Sequence, residues 1–247
     1  MSTIHKKALV IGSSKGVGRA LAIGLANAGV ETVAVARNEA GLNALKAKAP
    51  SVKTIASDAA ADGASSKLLD EVQPDLLILA GGNQPAMKPL SQQSWNEFSA
   101  TWNADTKIAF EFTRAALNGA MPDGGTVVSF ASGAAIGGSP LSGGYAGAKR
   151  MQHYVSNYAN WEAGRRGLDL TFITIYPKQL VTGTEIAKDA SSAYADAASI
   201  SAEKFMSQWE KPLTVDVIAS SVIELLADSG QKSQTYGISG AGLEVMA

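Results

Sequence analysis

The sequence contains no cysteine, so neither a disulfide framework nor thiolate chemistry is open to it. Histidine is almost as scarce. His5 and His153 are the only two, far apart in the chain, and they do not suggest a metal cluster. Charge of one sign is missing too: 21 basic and 22 acidic residues leave a net charge of −1, with no basic or acidic block. That balance argues against a nucleic-acid surface or a polybasic membrane patch. Long hydrophobic runs are also absent. The run LLILA from Leu76 falls far below the roughly 20 residues of a membrane helix. The N-terminal apolar stretch ends at Gly12, too early for a signal peptide. These absences lead to the expectation of a soluble, cytoplasmic protein with no metal, nucleic-acid or membrane partner.

What is present is a chain of 247 residues, 46% hydrophobic, long enough for one substantial α/β core. Short aliphatic runs read as strands at 7–11, 32–36, 52–56, 75–79, 126–130, 170–175 and 235–239. Between them, segments with helical spacing lie at 18–29, 40–50, 95–117, 145–164 and 214–228. Strands alternating with helices imply a parallel sheet, here of seven strands, covered on both faces. No linker-like break divides the chain, so residues 1–247 read as a single doubly wound domain. One segment departs from this rhythm: 183–210, with its Ala/Ser-rich centre at 189–205, leaves the carboxyl end of a strand, where doubly wound sheets bind ligands. It reads as a flap over the site, offering Tyr194, Phe205, Met206 and Trp209. A plain helical excursion over the surface fits the same residues.

After the first strand, LVIGSSKGVG carries Gly12, Gly16 and Gly18 in the spacing G-x-x-x-G-x-G, with Lys15 inside the turn. Glycine permits positive φ and close backbone approach. The free N–H groups and the helix dipole beyond them favour a phosphate, and a cation in such a turn suggests something anionic resting there. No Gly-Lys-Ser/Thr follows, so this is not a Walker loop. Taken alone, it also fits a purely structural tight turn.

A second constellation lies in SFASGAAIGGSPLSGGYAGAKRMQHY. Tyr145 and Lys149, four residues apart at a helix start, project from one face. An ammonium beside a phenol stabilises the phenolate, and such a phenol can exchange a proton with a reacting oxygen. Ser132, just past a strand, offers a hydroxyl to the same oxygen. A half-buried tyrosine next to a solvated lysine would give the same spacing.

With both constellations in order along the chain, the sequence resembles the short-chain dehydrogenase/reductase family over essentially its whole length. The resemblance implies a Rossmann-type fold, a nicotinamide dinucleotide, and interconversion of alcohols and carbonyls. The cofactor site would take Gly12, Ser14, Lys15, Gly16, Val17 and Gly18 from the turn, with Arg37 and Asn38 after the second strand. Asp58 would meet the adenine, and Gly81, Thr182, Tyr145 and Lys149 would complete the site. By the same resemblance Tyr145 is the general acid/base, Lys149 holds the nicotinamide ribose and Ser132 orients the substrate oxygen. Asn103, in TWNADTKIAF, matches the family's helix asparagine, which would anchor a proton-relaying water. Assembly as a homodimer or homotetramer, through the helices holding Asn103 and Tyr145, is also implied.

The chain departs from the family pattern at two loops. The usual Asn-Asn-Ala-Gly after the fourth strand reads LAGG (Leu79–Gly82), which puts that loop's hydrogen bonds in question. The usual Pro-Gly after the sixth strand reads Pro177-Lys178, where a lysine could be strained if glycine geometry is kept. Lys178 would either meet an acidic substrate group or simply face solvent. The second strand ends Ala36-Arg37, without the aspartate that grips ribose hydroxyls in NAD-preferring relatives. Together with Lys15, that end points to NADP(H). Residues near Met87, Ile136 and Tyr176 would shape a pocket for a small carbonyl or alcohol. The altered loops keep open a second function, a dinucleotide-binding sensor or scaffold with little turnover.

Overall fold

The computed structural model describes residues 5–228 and 234–246. Its strands are β1 (Lys7–Ile11), β2 (Glu31–Ala36), β3 (Lys53–Ala56), β4 (Leu76–Leu79), β5 (Gly125–Phe130), β6 (Leu170–Pro177), β7 (Thr235–Ser239) and β8 (Gly242–Val245). They form one sheet in the order β3-β2-β1-β4-β5-β6-β7-β8. The first seven pair in parallel; the eighth, absent from the expected seven, turns back through Gly240 and Ala241 and pairs antiparallel to β7. Its pattern GLEV is half polar and four residues long, too short to stand out by periodicity.

The helices are α1 (Gly16–Asn27), α2 (Glu39–Lys48), α3 (Ala64–Val72), α4 (Trp95–Thr101), α5 (Lys107–Ala115), α6 (Ala134–Gly137), α7 (Tyr145–Arg166), α8 (Glu185–Ala197), α9 (Ala202–Met206) and α10 (Val215–Ala227). The central strands are apolar at nearly every position because both sheet faces are covered. In β1, Ala8 and Val10 enter a core with Leu21 and Leu25 of α1 and Val222 of α10. Leu9 and Ile11 enter the opposite core, with Leu68 of α3, Phe112 of α5 and Phe172 of β6. Asn160 ties α7 to the sheet by pairing with both backbone groups of Phe172, accepting at 3.0 Å and donating at 2.7 Å.

Three local features bear on the sequence reading. Helix α3 lies where no helix was expected. Segment 95–117 is helical throughout, as expected, but α4 and α5 are joined by a wider turn of π type over Trp102–Thr106. Segment 183–210 contains α8 and α9, with Ala187, Ala190 and Ala195 buried, so much of it is packed helix.

Candidate active site

The strand order reverses between β1 and β4, and the connections leaving their carboxyl ends diverge to open a crevice. Gly12 sits at the mouth with φ +90°, and a Cβ there would come within 2.4 Å of Gly81 Cα. The first loop approaches the fourth this closely only because position 12 lacks a side chain; a Cβ on Gly81 would meet Gly12 at an ordinary 3.5 Å. The N-cap of α1, Lys15, supplies no side-chain acceptor, so the first-turn N–H groups of that helix are left without a side-chain cap. A cavity of about 610 Å³ begins at this turn. It is bordered by Ser14 through Gly18, by Arg37, Asn38 and Asp58 at the ends of β2 and β3, and by Ser132, Tyr145 and Lys149 at its other end.

Two cations at this mouth already have partners. Lys15 is ion-paired with Glu185 in the first turn of α8, and this pairing holds the Glu185 carboxyl below its ordinary value. Arg37 donates to Asn83 Oδ1 at 3.2 Å. Neither Glu185 nor Asn83 figured in the sequence reading. Two more contacts tie α8 to the rim: Gln84 with Asp189, and Ser139 Oγ with the Tyr194 hydroxyl at 2.7 Å.

At the far end, Tyr145 opens α7, whose preceding residue Gly144 donates to Phe98 O at 3.1 Å. Tyr145 and Lys149 are both buried, with Lys149 Nζ 5.6 Å from the tyrosine ring centre. Lys149 Nζ also lies 3.3 Å from Phe130 O at the end of β5 and 3.0 Å from Asp105 Oδ2. Burial alone would lower the lysine's pKa; the charge of Asp105, then Tyr145 and the hydrogen bond the lysine donates to Asp105, outweigh it and raise the value. The groups around Lys149 thus favour its charged form and hold it in place. Ser132 Oγ accepts from Ala134 N at 3.2 Å and borders the same cavity.

Two residues expected at the site are not brought to it. Asn103 is solvent-exposed on the outer side of the π turn, with Nδ2 3.4 Å from Ser99 Oγ, and does not border the cavity. Asp105, two residues on, takes the inward place. Its signal was available: Ile108, Phe112 and Ala116 form a buried stripe at helical spacing, and position 105 continues it. Thr182 is exposed and borders a separate, smaller cavity, its N–H donating to Leu213 O at 2.8 Å; Gln179, Leu180 and Val181 border the large one instead.

Lys178 is unstrained, since positive φ at non-glycine positions among the described residues occurs only at Gln73 and Ser199. Its backbone continues the sheet by donating to Ile238 O, and its side chain pairs with Glu244 of β8. Met87, Ile136 and Tyr176 do not border the cavity; Tyr176 is buried against His153. Among the described residues there is no cluster of metal-ligating side chains, and no helix is long and apolar enough to cross a membrane.

A doubly wound sheet with a glycine turn at its reversal point is a Rossmann-like architecture. The family model described as short chain dehydrogenase matches residues 6–194, and the chain belongs to that family. Among curated proteins, it is 28% identical over 129 residues to the L-xylulose reductase of Mesocricetus auratus, covering 51% of this chain and 53% of that one. The L-xylulose reductase of Bos taurus is 26% identical over the same length, with the same coverage of both chains. The chain thus spans about half the length of the curated relatives it matches. Among solved structures, NAD+-bound xylitol dehydrogenase superposes with a TM-score of 0.83 at 19% identity, covering 95% of this chain and 98% of that one. A short-chain dehydrogenase/reductase from Brucella melitensis gives 0.81 at 20%, covering 97% and 98%. These likenesses establish the fold.

Proposed function

We propose that this protein is an NADP(H)-dependent oxidoreductase that interconverts a small carbonyl and a secondary alcohol, with Tyr145 as its general acid/base. The observation that carries this reading is the buried ammonium of Lys149 beside the Tyr145 ring, at one end of a cavity that runs to an uncapped helix N-terminus. The residues suit a dinucleotide. The close-packed Gly12 and Gly81 leave the loop backbones open to it, the N–H groups of Gly16, Val17 and Gly18 suit its phosphates, and Asp58 suits the adenine end. Arg37 and Lys15, with Ala36 where an aspartate would repel a 2′-phosphate, favour NADP(H) over NAD(H).

When bound, the cofactor supplies the hydride. The protein's part is positional and electrostatic. Ser132 orients the substrate oxygen, Tyr145 gives it a proton in reduction or takes one in oxidation, and Lys149 holds the ribose and supports the phenolate. The L-xylulose reductase relatives make small ketoses a sensible part of the substrate panel. Segment 183–210 serves as a flap, its α8 held at the rim by Lys15–Glu185, Gln84–Asp189 and Ser139–Tyr194. The exposed aromatics Phe110 on α5 and Tyr158 and Trp161 on α7 suit burial in a homodimer or homotetramer in the cytoplasm. Oxidation of NADPH with a panel of ketones, ketoses, aldehydes and quinones tests the proposal. Turnover lost in Tyr145→Phe supports it; tight NADPH binding with no turnover across the panel favours a sensor or scaffold.

A further inference from the structure

The hairpin of β7 and β8 holds two consecutive side chains of the loop after β6, Gln179 and Lys178, in opposite ways. Gly240, in the turn of the hairpin, is wedged against the chain before α10, where a Cβ would overlap the carbonyl oxygen of Lys211. That chain is held in turn by Thr182, whose N–H donates to Leu213 O at 2.8 Å. So placed, Gly240 donates its N–H to Gln179 Oε1 at 3.3 Å. A backbone N–H can only donate, so the oxygen of the carboxamide faces it and the nitrogen is left as a donor elsewhere. Gln179 borders the large cavity, and among the described residues its Nε2 has no partner. Gln84, another carboxamide on that border, already donates its Nε2 to Asp189. The loop of Gln179 is joined to the loop of Ser132: Gly133 N donates to Pro177 O at 2.7 Å, and a Cβ on Gly133 would lie 3.1 Å from that oxygen.

Lys178 is drawn away from the cavity. Its stem lies over Gly237 of β7, where a Cβ would come within 2.9 Å of the lysine Cδ, and its ammonium pairs with Glu244 of β8. It does not border the cavity. The cations that do are Lys15, Arg19 and Arg37, from the glycine turn, α1 and the end of β2, and Lys149, which is ion-paired with Asp105. Helix α8 brings acids instead, Glu185 on the border and Asp189 beside Gln84. A carboxylate entering beside Ser132 would therefore lose its water and find no unpaired ammonium at that end among the described residues, which is costly for a full charge. An uncharged hydroxyl in the same place needs only a hydrogen-bond partner, and the amide of Gln179 is one.

We propose that the β7–β8 hairpin sets substrate choice: Gln179 donates its amide N–H to an uncharged oxygen next to the reacting carbonyl, and Glu244 withholds Lys178, so that a hydroxy ketone is taken in preference to a keto acid. This rests on the reading of Ser132 and Tyr145 as the carbonyl end of the cavity, and the test separates the two. Acetone, hydroxyacetone and pyruvate differ at a single carbon, which is a methyl, a hydroxymethyl or a carboxylate. Their binding to the NADP+-loaded protein, which cannot reduce them, is measured by saturation-transfer NMR, and their reduction by NADPH as kcat/KM. Wild type should rank hydroxyacetone first and pyruvate last. Gln179→Leu, or Gln179→Met if the first does not fold, should cut the preference for hydroxyacetone over acetone by about two- to tenfold, the contribution of one neutral hydrogen bond, through KM more than kcat. Glu244→Gln releases Lys178 and should raise the preference for pyruvate over acetone by about threefold, the scale of one exposed charge. An unchanged ratio in either variant, a wild type that favours pyruvate, or a failure of all three to bind overturns the proposal, even where other carbonyls are reduced. If the binding ratios move as expected while nothing in the carbonyl panel is reduced, the role of the hairpin stands and the proposed activity falls.

Discussion

The preference for NADP(H) can be decided at Arg37, Lys15 and Glu185. A charge-assisted hydrogen bond contributes roughly 1.5–3 kcal/mol, or about 10- to 150-fold in affinity. Arg37 is exposed and already donates to Asn83 Oδ1, so a 2′-phosphate would replace an existing bond. This exchange places Arg37→Ala near the lower end, about a tenfold loss for NADPH, with NADH almost untouched. Lys15 begins paired with Glu185, and both side chains are more than half exposed, 58% and 60%. Exposed pairs contribute little, 0–1 kcal/mol, so Lys15→Ala should weaken NADPH by only about threefold. Glu185→Gln should act in the opposite direction: it frees the lysine and removes an anion from the mouth, tightening NADPH by about threefold. Dissociation constants from cofactor fluorescence, at one fixed ionic strength because exposed charges are screened by salt, would measure all four proteins. Equal affinity of wild type for NADH and NADPH, or equal losses for both in Arg37→Ala, would refute the reasoning.

Tyr145→Phe should reduce kcat by about 10²- to 10⁴-fold while leaving the Kd for NADPH within a few-fold; more than about a tenth of wild-type turnover would sink the assignment. Hydrogen exchange across 189–205 should be faster than in β1 and slow when cofactor and substrate bind, and uniform protection in the free protein would contradict a flap. Phe112 is fully buried between α5 and the sheet, so Phe112→Ala should cost about 3–5 kcal/mol in urea unfolding, and a loss under about 1 kcal/mol would contradict that packing. Charging the exposed aromatic face with Phe110→Lys and Trp161→Lys should shift sedimentation from oligomer to monomer. A wild type that already sediments as a monomer would remove that surface from consideration.

By itself, the amino-acid sequence determined the alternating β/α plan, because strands buried on both faces must be continuously apolar and are shorter than most of the helical segments between them. Seven strands, the glycine turn, and Tyr145 and Lys149 at the start of α7 were legible in this way, since each depends on residues close together in the chain. Strand β8 was not, because its four residues depend on β7 for their hydrogen bonds. Asn103 and Asp105 show the limit more sharply. Both lie in one short polar stretch, and resemblance drew attention to the asparagine. Which of them turns inward depended on the stripe of Ile108 and Phe112 packing beneath the sheet, on Gln152 reaching from α7, and on the space left by Gly82. Lys15 likewise read as a cation for a phosphate, and Lys178 as one for an acidic substrate group or for solvent, until folding brought Glu185 and Glu244 to them, across separations of 170 and 66 residues. Local pattern decides which face of an element is apolar. Only the packed chain decides which distant groups that face brings together, because burial and charge act through space and not along the sequence.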